Sequence, residues 1–224
     1  MKRKVNRYII HKIIRAVWDL PRMFLKLPDP RLIMTLLVKN EEELLERNLL
    51  FHKAMGVDAF IVTDNNSTDG TCGIIEKYRR KGWVVDVIRE AATGYEQKEW
   101  VDRMIWKAKT SFGADWVINA DADEFWYALR VVEKELSESR ANVQTCEVRS
   151  MYPEEDKPFW QWSKAVRPVT DIEAYDLSLY SLFERQNRKV IHRTDGYLQI
   201  SMGNHKVRML PQYAKFLGDS CLSL

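Results

Sequence analysis

Apolar residues fall into short blocks separated by polar ones, and from residue 32 onward the period of those blocks alternates. Leu32 to Val38 is a continuous apolar run, suited to a parallel strand buried on both faces. Glu41 to Met55 then carries Leu44, Leu45, Asn48, Leu49 and His52 at helical spacing. Ala59 to Thr63 reads as strand, Thr71 to Lys81 as helix, Trp83 to Arg89 as strand, Glu96 to Thr110 as helix and Asp115 to Asn119 as strand. Such alternation predicts an α/β fold: a mostly parallel, Rossmann-like sheet with helices on both faces.

Before that block lies a different pattern. Ile9, Ile10, Ile13, Ile14, Val17 and Trp18 recur at helical spacing, with His11, Lys12, Arg15 and Asp19 between them, which predicts an amphipathic helix. Pro21, Pro28 and Pro30 punctuate the passage onward. We therefore divide the chain into an N-terminal helix, 1–30, and one domain, 31–224, with halves at 31–127 and 128–224.

Two parts of the chain end in chemistry rather than in ordinary turns. The strand at 115–119 runs into Asp121-Ala-Asp123, and in extended chain residues i and i+2 project to the same side, so both carboxylates can face one ion. Two hard oxygen ligands suit Mg²⁺ or Mn²⁺, which keep further positions for water and a substrate's phosphates. A D-x-D triplet by itself is equally compatible with a solvated acidic turn. The strand at 59–63 likewise breaks into Asp64-Asn-Asn-Ser-Thr-Asp-Gly before a helix. There Asp69 or Ser67 suits a helix cap and Gly70 a relaxed turn, while Asp64, Asn65 and Asn66 stand where open α/β sheets place ligands.

Thr35 to Glu41 (TLLVKNE), Thr63 to Thr71 (TDNNSTDGT) and Ile118 to Trp126 (INADADEFW) together resemble the motifs of one branch of the family 2 glycosyltransferases. The resemblance covers about residues 31 to 210. It implies a GT-A fold, a nucleotide-sugar donor carrying UDP or GDP, a divalent metal at the D-x-D motif and transfer with inversion to a glycan, lipid-linked or other hydroxyl acceptor. On that resemblance Glu41, Asp64, Asn65, Asn66 and Asp69 belong to the nucleotide site together with Asp121. Arg103, in the segment after Gln97 and Trp100, is a diphosphate contact or a solvated helix residue. Asp121 and Asp123 become metal ligands and catalytic residues, and His205, in Gly-Asn-His, completes the metal shell in preference to His192. Glu124 is placed to bind metal through water or to orient Asp123. The general base is expected in the second half, with Asp156, Asp171 and Glu173 as candidates by chain region, and Lys164 and Arg167 as phosphate or acceptor contacts. Related chains continue to a further histidine, whereas this sequence ends at Leu-Gly-Asp-Ser-Cys-Leu-Ser-Leu. The alternative function is therefore a catalytically impaired relative that binds nucleotide or membrane as a scaffold.

Charge changes the picture at the N-terminus. Residues 1–30 hold eight Lys or Arg against two Asp, a net +6, which leaves −3 for the rest of a chain of total +3. A basic amphipathic helix either packs on its domain or lies in the headgroup region of an anionic membrane, here through residues 5–27. A net acidic remainder without a recognition motif argues against nucleic acid. No run reaches the ~20 apolar residues of a membrane span, and no cleavable signal is visible. Three widely separated cysteines, Cys72, Cys146 and Cys221, suggest neither disulfides nor zinc. The expected location is cytoplasmic, with peripheral attachment to the membrane's inner face as an option. A nucleotidyltransferase would use a similar acid pair, but Val-Lys-Asn-Glu-Glu-Glu after the first strand is not a Gly-rich phosphate loop.

Overall fold

The computed structural model describes residues 2–90, 97–128, 132–166, 188–216 and 221–223. Helix α1 spans Lys2–Met23. An alternating block follows: β1 (Leu32–Val38), α2 (Leu45–Ala54), β2 (Ala59–Asp64), α3 (Thr71–Arg80), β3 (Val84–Arg89), α4 (Gln97–Phe112) and β4 (Trp116–Ala120). These bounds match the elements read from the hydrophobic pattern to within a few residues. Beyond them lie β5 (Glu124–Trp126), α5 (Val132–Glu138), β6 (Val143–Ser150), β7 (Arg188–Arg193), β8 (Tyr197–Ile200), β9 (Val207–Met209), β10 (Ala214–Phe216) and β11 (Cys221–Ser223).

The main sheet runs β3-β2-β1-β4-β7-β6-β11-β5, with β10 also paired to β6, while β8 and β9 form a separate hairpin. From β3 to β4 every pairing is parallel; β7 then enters antiparallel to both β4 and β6. The fold is thus α/β with a parallel half, as the sequence predicts, joined to a mixed half that it does not reveal, in which β10 and β11 run parallel to β6 and β11 antiparallel to β5.

Strand β1 shows why the run Leu-Ile-Met-Thr-Leu-Leu-Val is central. Alternate side chains of a strand face opposite sides. Leu32, Met34, Leu36 and Val38 meet Leu45 and Leu49 of α2, Ile75 and Tyr78 of α3 and Leu136 of α5. Ile33 turns instead to Val101, Met104, Ile105 and Ala108 of α4. Trp100 and Met104, four apart on α4, are both buried. The polar exception inside β1, Thr35, donates to Asn119 Oδ1 of β4 at 2.9 Å, so its burial leaves no orphaned hydroxyl. Gly82 and Gly113 follow α3 and α4 with φ of +75° and +63°, the left-handed turn that releases a chain from a helix end.

Helix α1 lies against α4 and β8 by an unusual face. Lys12, Ala16, Asp19 and Met23 are buried. Lys12 Nζ reaches Asp102 of α4 at 2.6 Å, Lys109 of α4 pairs with Asp19, and Arg22 pairs with Asp115. No helix among the described residues is long and apolar enough to cross a membrane.

Candidate functional site

Strands β1, β2 and β4 are parallel, so their carboxyl ends open on one edge of the sheet, and the loops that follow them meet there. This is where open α/β sheets receive ligands. The first two loops are laced to each other by side chain to backbone bonds. Asn40 Oδ1 accepts from Thr68 N (2.8 Å), Asp69 Oδ2 from Glu42 N (3.1 Å), Glu42 Oε2 from Gly70 N (2.6 Å), and Glu41 N donates to Thr71 Oγ1 (2.7 Å). Asp69 also accepts from Thr71 N at 3.0 Å just before α3, but neither it nor Ser67 is the helix cap, since the N-cap position is Gly70 and receives no side-chain cap bond. Gly70 serves differently from expectation. Its φ is −71°, so no turn conformation requires glycine there, and a Cβ would stand 2.7 Å from Glu42 Oε2, the movable end of an exposed side chain. The left-handed conformations fall on Asn40 and Asn66, both at φ 56°, a region asparagine tolerates.

Asp64 closes β2 and is buried with Asn65. Its two carboxylate oxygens accept from Ser67 N (3.2 Å) and Cys72 Sγ (3.3 Å). Glu90, just after β3, donates its N–H to Asp64 O, and its side chain pairs with Arg103 of α4. Arg103 therefore belongs to the β2–β3 end of the edge, where a carboxylate engages its guanidinium.

The third loop carries Asp121 and Asp123. Asp123 is half-buried and the Asp121 side chain is 45% exposed. Burial raises the Asp123 carboxyl above its ordinary range, and the Asp121 charge pushes the same way. Glu41 is raised by burial and then by Asp123, Asp121 and Asp69, so the first loop's acid shares the field of the metal motif. Three strands have thus delivered carboxylates to a common place.

Opposing them is Lys189, which sequence reasoning passed over. Strand β7 pairs Trp116 with Arg193 and Ile118 with Ile191, so its first residues lie beside the end of β4. Lys189 is buried there, forms an ion pair with Glu124 and stands 3.6 Å from Asp121. Burial pushes Glu124 up, to about 7, while Lys189 opposes the rise. Lys189's own burial is outweighed by Glu124, Asp121 and Asp123, which hold its ammonium above the ordinary lysine range. One cation facing three carboxylates keeps its proton. Glu124 Oε2 has no hydrogen-bond partner among the described residues.

The motif is clamped from below by α2. Asn48 Nδ2 donates to the carbonyls of Ala122 and Glu124, both at 2.9 Å. His52 Nδ1 bonds Asn48 O at 2.8 Å, which fixes the tautomer so that Nε2 accepts from Trp126 N at 2.9 Å. Burial drops the His52 pKa to about 4, so the ring is neutral. Trp126 is buried in the core and Phe125 stacks on His52, so these aromatics do wedge the loop.

The Gly-Asn-His segment divides its work. Asn204 is buried, has φ 58° and donates to the carbonyls of Asn119 and Val190, tying the segment to β4 and β7. His205 is exposed, and its Nδ1 bonds Arg188 O at 2.8 Å. Among the described residues no three His, Cys, Asp or Glu side chains are gathered as a metal cluster, so the structure does not bring His205 together with Asp121 and Asp123 in that way. His192 is fully buried and its Nδ1 bonds Arg193 O, which makes it a core residue. Of the proposed bases, Asp156 is exposed, while Asp171 and Glu173 lie outside the described residues, as do Tyr95 and Arg167.

The donor set fits a hard divalent cation held by few protein ligands. Asp121, Asp123 and Glu124 face one ammonium, Glu41 adds to their negative field, and a buried Glu124 oxygen without a hydrogen-bond partner among the described residues stands beside them. Mn²⁺ or Mg²⁺ would relieve that excess while leaving positions for water and phosphate.

Neither a family model nor a curated protein matches the sequence. Solved structures do match. The crystal structure of S. aureus TarS 1-349 in complex with UDP aligns with 86% of this chain and 60% of that one, at 15% identity and a TM-score of 0.54. The longer S. aureus TarS structure aligns with 86% of this chain and 36% of that one, at 16% identity and the same TM-score. A mannosyltransferase from Pyrobaculum calidifontis in complex with GDP-Man and Mn²⁺ matches more loosely, with 64% of this chain, 45% of that one, 20% identity and a TM-score of 0.39. The chain spans less than two thirds of the length of each. The two TarS likenesses establish the GT-A fold.

Proposed function

We propose that the chain is a glycosyltransferase that binds the diphosphate of a nucleotide sugar at the carboxyl edge of β1, β2 and β4 and transfers the sugar to a hydroxyl acceptor. The observation that carries this reading is the convergence of Asp121, Asp123 and Glu124 around the ammonium of Lys189, with Glu41 in the field of the same acidic pair, at the ligand edge of a GT-A sheet.

Asp121 and Asp123 are the proposed metal ligands. His205 is not counted with them, since it is not gathered with these carboxylates into a metal cluster among the described residues. When bound, Mn²⁺ or Mg²⁺ supplies stabilisation of the charge that develops on the departing diphosphate. The chain does the positioning. Asp64 and Asn65, buried where β2 ends, offer hydrogen-bonding groups to the base and ribose, and Glu41 stands between them and the acidic pair. Asn66 and Asp69 shape the same loop, and Arg103 lines its far end. Lys189 opposes the burial-driven rise of Glu124 and holds Asp121 through the same ammonium.

Transfer is read as a single displacement with inversion. The acceptor oxygen forms its bond to the anomeric carbon as the bond to the diphosphate oxygen breaks, and the electron pair leaves with the nucleoside diphosphate. The acceptor proton passes to a carboxylate of the second half, for which Asp156, Asp171 and Glu173 are the candidates. UDP ranks first among donors because the TarS complex holds UDP, and GDP second. The test is release of nucleoside diphosphate from a panel of UDP- and GDP-sugars in Mn²⁺, with and without hydroxyl acceptors. Turnover lost on Asp121→Ala and with EDTA supports the proposal. Metal-independent turnover, or undiminished turnover by Asp121→Ala, overturns it.

A further inference from the structure

Helix α1 is turned inside out relative to an ordinary surface helix. Its buried side is polar: Lys12 and Asp19 are 3% and 8% exposed and are engaged by Asp102 and Lys109. Its outer side carries Ile9, Ile10, Ile13, Ile14 and Val17 at 42–53% exposure and Trp18 at 78%. Burying such side chains normally stabilises a fold, and a helix docked on its own domain for stability would present them inward. The ion pairs forbid the helix from rolling over, because turning the isoleucines inward would strip Lys12 and Asp19 of their partners and leave the partners buried and unpaired. The chain has therefore fixed an apolar stripe facing outward.

That stripe is bordered by cations. Arg15 and Arg22, 59% and 54% exposed, flank Trp18 on one side, and the first 30 residues carry a net +6 against −3 for the remainder. A partner for this surface has to supply an apolar layer with negative charge at its rim, which is the profile of an anionic bilayer: acyl chains beneath a plane of phosphates. Trp18 fits the interface itself, where an amphipathic ring has one wet and one apolar side. We propose that α1 is an in-plane membrane anchor that seats Ile9, Ile10, Ile13, Ile14, Val17 and Trp18 in the headgroup region of an anionic membrane. The inference is independent of the transfer reaction and does not require it.

The experiment is co-sedimentation of the full chain with vesicles of phosphatidylglycerol and phosphatidylcholine, against phosphatidylcholine alone, at low and high salt. The wild type should sediment with the anionic vesicles, less with neutral ones, and be partly released by salt, because surface charges are screened beyond about 10 Å at 0.1 M. Ile14→Asp with Trp18→Asp should lower partitioning about tenfold or more, since removing ~1.4 kcal/mol of insertion energy is already a factor of ten. Both residues are exposed, so the double variant should keep the wild-type Tm, and circular dichroism checks that it does. Equal sedimentation of the variant, no binding to anionic vesicles, or equal binding to neutral ones overturns the proposal. A wild-type dimer that the same substitutions dissociate, without vesicle binding, gives this face to a second copy of the chain instead.

Discussion

Lys189 on β7 forms a buried ion pair with Glu124, 65 residues earlier, and the same ammonium stands 3.6 Å from Asp121. The contact joins the antiparallel strand β7 to the loop after β4, so the acidic motif is held by a strand that the first half of the chain does not contain. It also sets the charge balance of the site.

Removing the ammonium should cost more than removing the pair. Lys189→Met leaves Glu124 buried without its counterion beside Asp121 and Asp123, and losses of about 3–5 kcal/mol accompany such orphaned charges. Glu124→Leu combined with Lys189→Met should recover much of that loss. Urea unfolding of wild type, single and double variants measures the coupling; additive losses would show that the two side chains do not support each other.

The clamp from α2 should matter for both stability and ion binding. Asn48→Leu strips the Ala122 and Glu124 carbonyls of their shared donor, at about 1–3 kcal/mol for each acceptor left buried. The loop then loses its fixed geometry, and Mn²⁺ affinity should fall in parallel. A thermal melt and a Mn²⁺ titration of the variant test this; full stability with full affinity would dismiss the clamp.

Acid should weaken the fold before any carboxylate is neutralised in bulk. His52 and His192 are buried neutral with pKa values of about 4, below the 6.5 of an exposed histidine. Between those values the unfolded chain binds protons that the folded chain refuses, so stability is complete above about pH 6.5 and is lost as pH falls toward 4. The loss should be about 2 kcal/mol per histidine at pH 5, read as a lower urea midpoint than at pH 7. An unchanged midpoint would mean that the two rings are not buried neutral.

Helix α1 should depend on its inward polar residues rather than on its isoleucines. Asp102 accepts from both Lys12 and the Tyr197 hydroxyl, so Asp102→Ala should loosen the helix and cost about 3 kcal/mol. Limited proteolysis of α1 should accelerate in this variant and stay at the wild-type rate in Ile13→Ser.

Much of the first half is legible in the sequence because each element there carries its own signal. Leu32 to Val38 announces a buried strand, and the breaks at Asp64 and Asp121 announce loops at a ligand edge, since polar turn residues end apolar runs. What the sequence does not reveal depends on partners far along the chain. Lys189 reads as an ordinary surface lysine until β7 is laid antiparallel beside β4. Asn48 and His52 read as polar members of a helical stripe until the loop of Ala122 to Trp126 is seen resting on them. The periodicity of α1 is visible, but not which side faces the domain: hydrophobic patterning predicts the isoleucines inward, and long-range ion pairs at Lys12 and Asp19 decide otherwise.

The most direct measurement on the site is a calorimetric titration of the chain with UDP, in Mn²⁺ and after EDTA, beside Asp123→Asn. Binding that requires Mn²⁺ and is lost in the variant is the expected result. Equal binding with and without the metal, or an unchanged isotherm in Asp123→Asn, would contradict a metal-bridged diphosphate at the end of β4.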